Sequence, residues 1–151
     1  MNKLIAANWK MYKTIGEAAD TVRDLTRLAG ELPAGREVLI FPPFTAIAAV
    51  SAALGVRHGY FVGGQDVYVK AEGAFTGEIS PGMLKDAGCD YALTGHSERR
   101  HVLGESDELV GEKTLFALQS GLRVVLCIGE KLDEREAGKL EAVLKRQLTA
   151  G

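Results

Sequence analysis

Short apolar runs, each followed by a stretch of helical periodicity, alternate along this whole sequence, with strands beginning about thirty residues apart. That alternation constrains the fold more than any other feature. A strand parallel to its predecessor needs a crossover of a dozen or more residues, and a helix supplies it. Right-handed crossovers then build a parallel α/β sheet. Two architectures fit five such units: a complete open doubly wound sheet, or part of an eight-unit barrel.

Lys3–Trp9 reads as the first strand, in which alternation puts Asn8 and Lys10 on one side. Thr14 with Glu17 three residues on is a capping box. The helix it opens carries Ile15, Ala18, Ala19, Val22, Leu25, Leu28 and Ala29 on one stripe, until Gly30 and Pro33 end it. Val38–Phe41 is the second strand, closed by Pro42-Pro43, and its helix buries Ile47, Val50 and Leu54 before stopping at Gly55. The third strand, about His58 to Val62, leaves through Gly63-Gly64-Gln65-Asp66 into a long segment from Val67 to Ile79. Long loops in compact domains are usually functional or packed against something. Ser80-Pro81 restarts a short helix that Gly88 ends, and Cys89–Leu93 is the fourth strand. Another helix spans roughly Ser106 to Ser120. Leu122–Ile128, apolar apart from Arg123, reads as a strand buried on both faces. The last helix, near Glu134 to Leu148, is expected to bury Leu140, Val143, Leu144 and Leu148.

The 151 residues suit a single domain, 1–151, large enough to bury a core. A net charge of −2 offers no basic patch for nucleic acid or anionic lipid. The apolar run after Met1-Asn2-Lys3 is too short for a signal peptide or membrane span, and Asn8 and Lys10 interrupt it. Cys89 and Cys127 fall within expected strands, too few and too isolated for a disulfide framework or a zinc site. The chain reads as cytoplasmic, without a nucleic-acid or membrane partner.

The chemistry concentrates where strands end. Tyr91-Ala92-Leu93-Thr94 stops at Gly95 and delivers His96, Ser97, Glu98 and Arg99 at once. Ser97 is positioned to cap a short helix, and His96 would sit beside that helix's positive end, which favours the neutral ring. Asn8 and Lys10 follow the first strand, Gln65 and Asp66 the third, and Glu130 the fifth. Polar groups converging from several strand ends are the barrel arrangement, whereas an open sheet concentrates its site at one switch point. No GxGxxG or GxxxxGK[ST] loop follows a strand, no carboxylates have metal-ligand spacing, and no Ser lies in a nucleophile elbow. A lysine, a neutral histidine and an amide around one mouth suit a substrate with a carbonyl and an anionic group: Lys10 offsets negative charge and His96 donates to a developing oxyanion. The bland alternatives are a solvated Lys10 and a surface pairing of Glu98 with Arg99; Glu130 reads as structural.

Ala7-Asn8-Trp9-Lys10-Met11, Gly73-Ala74-Phe75-Thr76-Gly77-Glu78, Gly95-His96-Ser97-Glu98-Arg99-Arg100 and Cys127-Ile128-Gly129-Glu130 resemble the triosephosphate isomerase family in order and spacing. Tyr12 and Asp66 stand where that family more often has Asn. The resemblance implies a partial (β/α)₈ barrel and the interconversion of dihydroxyacetone phosphate and glyceraldehyde 3-phosphate through an enediolate, without a cofactor or metal. It assigns Asn8 and Lys10 to substrate binding, His96 to polarising the carbonyl as the neutral electrophile, and Glu98 to a supporting catalytic role. It also implies a homodimer of the intact protein, in which Thr76 at the tip of the long loop reaches toward the partner's site.

The family barrel has eight units in about 250 residues; five are legible here. The resemblance places the proton-abstracting glutamate and lid after strand six and the phosphate loops after strands seven and eight, and none of those motifs is present in this sequence. The expectation is therefore the N-terminal part of such a barrel, inactive by itself. The alternative is a non-catalytic half-barrel serving as a binding or scaffold module.

Overall fold

A computed structural model describes residues 3–150; Met1 and Asn2 of the polar start, and Gly151, lie outside the described residues. Five parallel strands form one sheet in the order β1-β2-β3-β4-β5: β1 (Lys3–Asn8), β2 (Arg36–Phe41), β3 (Tyr60–Gly64), β4 (Tyr91–Thr94) and β5 (Arg123–Leu126). Spatial order thus repeats chain order. Successive right-handed crossovers that always step the same way put every helix on one face, and the sheet curls as a barrel wall. An open doubly wound sheet reverses its order to cover both faces, so this topology decides between the two architectures.

The core divides along the same line. Helices α1 (Ile15–Ala29) and α2 (Ile47–Leu54) lay Ala18, Val22, Ile47, Val50 and Leu54 against Ile40, Tyr60, Val62 and Ala92 of the strands. The other face holds Leu39, Phe41, Tyr91 and Leu93, with Phe61, Val125 and Cys127 packed beside them. No described helix covers this inner face, yet Leu39 and Phe41 are 0% and 1% exposed, because curvature packs inward side chains against each other. Gly63 makes room for the Phe41 ring on this face: a Cβ there would lie 2.3 Å from it.

The Thr14–Glu17 capping box forms, with the Glu17 carboxylate accepting from the Thr14 N–H at 2.8 Å. Leu28 and Ala29 lie on the solvent side of α1, and Ile15 is exposed, so the stripe is narrower than its spacing predicts. After α2 and β3, the chain runs through α3 (Pro81–Asp86), α4 (Ser97–His101) and α5 (Asp107–Gln119), with Ser80 and Ser106 as caps accepting from Met83 N and Leu109 N.

Several expectations are corrected. The third strand is displaced toward the glycines, and the fourth begins at Tyr91, so Cys89 precedes it; Cys127 follows β5. Neither cysteine is in a strand. β5 is not buried on both faces: Arg123 is exposed and Val124–Leu126 are half-buried, since among described residues no strand pairs with its outer edge. The expected last helix is two, α6 (Leu132–Glu136) and α7 (Leu140–Ala150), divided where Gly138 takes φ +66°. α7 buries Val143 and Gln147, while Leu140 and Leu148 face solvent. Gln147 earns its burial by pairing with the Gly129 backbone, accepting from its N–H at 2.8 Å and donating to its carbonyl at 3.2 Å. Among the described residues no helix is long and apolar enough to cross a membrane.

Candidate active site

β1 ends at Asn8, and the chain turns instead of continuing as a strand. Lys10 adopts φ +54°, a left-handed conformation that is uncommon for a non-glycine residue and is held only where the surroundings fix it. Two contacts do so: the Asn8 side-chain oxygen accepts from the Lys10 N–H at 2.9 Å, and Gln65 Nε2 donates to the Lys10 carbonyl at 2.8 Å. Gln65 Nε2 also donates to the Phe41 carbonyl, so the exits of β1, β2 and β3 are tied at one point. Asn8 and Lys10 thus face the same cavity through this turn, not through strand alternation.

β4 ends at Gly95, whose φ of +67° and crowding leave no room for a side chain: a Cβ would meet Arg100 Nη2 at 2.6 Å and the Cys127 carbonyl at 2.9 Å. The turn delivers His96 as the cap of α4. This corrects the expected cap, Ser97; the His96 ring itself performs that task, its Nδ1 accepting from the Glu98 N–H at 3.3 Å. A ring that accepts at Nδ1 holds its proton on Nε2, the arrangement that can donate to an oxyanion. The Glu98 carboxylate lies 3.4 Å from the same nitrogen.

Glu98 Oε1 is 2.8 Å from Lys10 Nζ, with both side chains about half exposed at 48% and 49%. This hydrogen bond, more than any other influence, raises the Lys10 ammonium's pKa and lowers that of the Glu98 carboxyl, so both are charged. Glu98 and Arg99, one residue apart, do not pair with each other. Asn8, Lys10, Gln65, His96 and Glu98 line a cavity of about 390 Å³ at the carboxyl ends of the strands. His96 also borders a second hollow of about 310 Å³ that reaches Cys127–Lys131. Glu130 lines that hollow and is engaged by Arg135 at 2.6 Å, so it is tied up locally.

Asp66 is not at the mouth. It is 4% exposed and faces away from the cavity into a ring of four charges that sequence reasoning did not find. Lys113 Nζ reaches both Asp66 oxygens at 2.8 and 2.9 Å and also pairs with Glu105; Arg99 reaches Asp66 at 2.8 Å and Glu105 at 2.7 Å. Burial pushes the Asp66 carboxyl up against the pull of Lys113, while in Glu105 hydrogen bonds from Lys113 and Arg99 overcome burial and hold it down. Lys113 was legible in principle, because it lies on the buried stripe of α5 with Val110, Thr114 and Ala117. A lysine in register with a buried stripe asks for a buried carboxylate.

Arg100 completes the support. It is buried, donates from Nε to the Gly95 carbonyl at 2.7 Å and from Nη2 to the Cys127 carbonyl at 3.2 Å, and pairs with Asp107. The long loop folds on itself, with the Tyr68 and Phe75 rings 4.7 Å apart and Tyr68 N–H bonded to the Ile79 carbonyl. It leaves Thr76 exposed near its tip.

The arrangement presents an ammonium, an amide and an imidazole around one polar mouth, which can hold an anion and polarise a carbonyl. The chain is also similar to known proteins along nearly its whole length. A family model described as triosephosphate isomerase matches residues 3–151. Among curated proteins of that name, one from Nitratidesulfovibrio vulgaris (strain DP4) is 66% identical over 100% of this chain and 61% of its own length. One from Chloroflexus aurantiacus is 52% identical over 97% of this chain and 58% of its own. One from Aquifex aeolicus is 46% identical over 98% and 59%. The chain spans about 60% of the length of these relatives.

Proposed function

This chain belongs to the triosephosphate isomerase family, and on that premise we propose that residues 1–151 form one unit carrying the carbonyl-polarising and substrate-binding groups of an isomerase for triose phosphates. The reaction is the interconversion of dihydroxyacetone phosphate and glyceraldehyde 3-phosphate through an enediolate, as in glycolysis and gluconeogenesis. The observation that carries the reading is the His96 ring, whose Nδ1 accepts from the Glu98 N–H, an arrangement that leaves Nε2 to donate. In this role His96 stabilises negative charge developing on the carbonyl oxygen as the adjacent carbon loses its proton. A neutral donor suits it, because it binds the oxyanion without first giving up a proton. Lys10 offsets the charge of the phosphate and enediolate, and its strained turn keeps the ammonium aimed at the mouth. Asn8 binds substrate beside it, and Glu98 keeps Lys10 positioned when substrate is away.

The proton-abstracting base is not among these groups. Glu130 is paired with Arg135 and lies in the second hollow, which argues against it as a local substitute. A general base typically contributes about 10²–10⁴-fold. Residues 1–151 alone are therefore insufficient for catalysis, and the open edges of β1 and β5 are where the remaining units would close the barrel. Two free thiols and no disulfide among the described residues suit a reducing, cytoplasmic setting. The exposed loop bearing Thr76, with Met11 at 93% exposure near the mouth, suits a homodimer that buries them.

The test is to mix residues 1–151 with a polypeptide carrying the unmatched part of the Nitratidesulfovibrio vulgaris relative and follow isomerisation in a coupled assay. Activity that appears on mixing and vanishes with His96→Ala supports the assignment. Tight binding of the two pieces without activity would favour the non-catalytic scaffold.

A further inference from the structure

We infer that Gln147 is a positioning residue for the site: by clasping Gly129 it holds the loop Cys127–Glu130 as the wall on which the His96 turn rests. Only the catalytic consequence rests on the isomerase reading above. The loop leaves β5, which among the described residues has a strand on one side only. Its start is secured, because the Cys127 N–H donates to the Thr94 carbonyl at 2.9 Å and the Cys127 carbonyl accepts from Arg100 Nη2 at 3.2 Å. Its far end is secured by α6, where Arg135 holds Glu130.

Between these two points, among the described residues, only Gln147 bonds to the loop's backbone from outside it. The Gln147 amide accepts from the Gly129 N–H at 2.8 Å and donates to the Gly129 carbonyl at 3.2 Å. A primary amide can meet a peptide group in both directions at once; a carboxylate manages only the accepting half, and a hydrocarbon neither. Gln147 is 3% exposed, one turn after Val143 on the buried side of α7. An amide so buried is costly unless both its groups are paired, so its burial and the loop's shape depend on each other.

The loop touches the turn that carries His96. Gly95 is pressed against it: a Cβ there would lie 2.9 Å from the Cys127 carbonyl. Arg100 ties the two backbones together, donating from Nε to the Gly95 carbonyl and from Nη2 to the Cys127 carbonyl. Loop and His96 also line the same hollow of about 310 Å³. Helix α7 is itself docked on this frame, since Arg146 pairs with Asp107, the partner of Arg100. Removing the Gln147 amide therefore frees the middle of the loop where it borders His96.

Cys127 reports on that freedom, because it is half-buried and lines the hollow, whereas Cys89 lies in the core between helices and sheet. The experiment measures the rate at which each thiol of the chain 1–151 reacts with a pyridyl disulfide, the two sites being resolved by peptide mass spectrometry. Gln147→Leu should speed Cys127 about ten-fold, the scale of two lost neutral hydrogen bonds, and leave Cys89 unchanged. A mere loss of stability would speed both thiols together through global opening. Gln147→Glu supplies a signature in pH. Ionised, its carboxylate accepts from the Gly129 N–H but cannot donate to the carbonyl; protonated, it does both. Relative to the unaltered chain at the same pH, Cys127 in Gln147→Glu should react faster at neutral pH and return to parity as pH falls through the new carboxyl's pKa. If Gln147→Leu does not fold, this profile decides alone. An unchanged Cys127 rate in a folded variant, an equal rise at both thiols, or no return at low pH overturns the inference. In the mixed, active assembly Gln147→Leu should lower kcat about ten-fold with KM nearly constant, a misplacement effect, because Asn8 and Lys10 line the other cavity. An unmoved kcat would overturn the catalytic consequence. Absence of activity in the unaltered assembly would count against the isomerase reading and leave the thiol result standing.

Discussion

Two clusters of charge lie on either side of helix α4 and follow opposite rules. At the mouth, Lys10, Glu98 and His96 touch water, and the Lys10–Glu98 pair is about half exposed. Behind the helix, Asp66, Arg99, Glu105 and Lys113 close a ring in which Lys113 is 2% exposed. An exposed pair is screened and holds little of the fold, and its members remain available to a ligand. A buried ring is costly to break, and its four side chains are engaged with one another rather than with the mouth. Sequence neighbours divide between the two: Gln65 and Glu98 serve the mouth, Asp66 and Arg99 the ring. The mouth can thus be reactive because the ring takes over the task of holding α4.

The sharpest way to break this contrast is Lys113→Met. It leaves two buried carboxylates sharing one guanidinium, and chemical denaturation should show a loss of roughly 3–5 kcal/mol. A loss near zero would mean that the ring is as dispensable as a surface pair. A smaller effect separates the two carboxylates of the ring by pH. Glu105 has a lower pKa in the folded chain than in the unfolded one, so its contribution is complete above the ordinary carboxylate pKa. It is lost as pH falls through the lowered value. Asp66 is raised, so its contribution is complete below the ordinary pKa and declines as pH rises through the raised one. Glu105→Gln should therefore flatten the acid limb of the stability curve and Asp66→Asn should steepen it; the same slope change in both would contradict the assignment. The smallest effect is at the mouth, where Lys10→Met should leave the denaturation midpoint unchanged. A drop comparable to that of Lys113→Met would erase the distinction.

The mouth was legible in the sequence and the ring was not, for a physical reason. Asn8 ends β1, and Lys10, His96 and Glu98 lie within a turn or so of a strand's end; strand ends converge in a parallel barrel whatever the details of packing. The ring depends on side-chain direction: Asp66 also follows a strand, but the chain turns it inward to meet Lys113 from a helix 47 residues away. Periodicity placed the helices on the sheet, yet could not tell that α4 is capped by an imidazole, because His96 reads as part of the loop and Ser97 as the better cap. The weakest readings were at the edge. The run from Leu122 looked like a strand buried on both faces, a pattern suited to an interior strand, and β5 lies at the margin of the described sheet. Gln147 was missed altogether, since a glutamine on an amphipathic helix ordinarily faces water, and here it pairs with the Gly129 backbone.

The central claim is that residues 1–151 hold the polarising half of an isomerase site and lack its base. The most direct measurement is a coupled assay of purified 1–151 with glyceraldehyde 3-phosphate, run beside the His96→Ala variant at the same concentration. The account predicts no rate above background from either protein. Turnover by 1–151 alone that disappears with His96→Ala would contradict it, because a complete catalytic set would then lie within these residues.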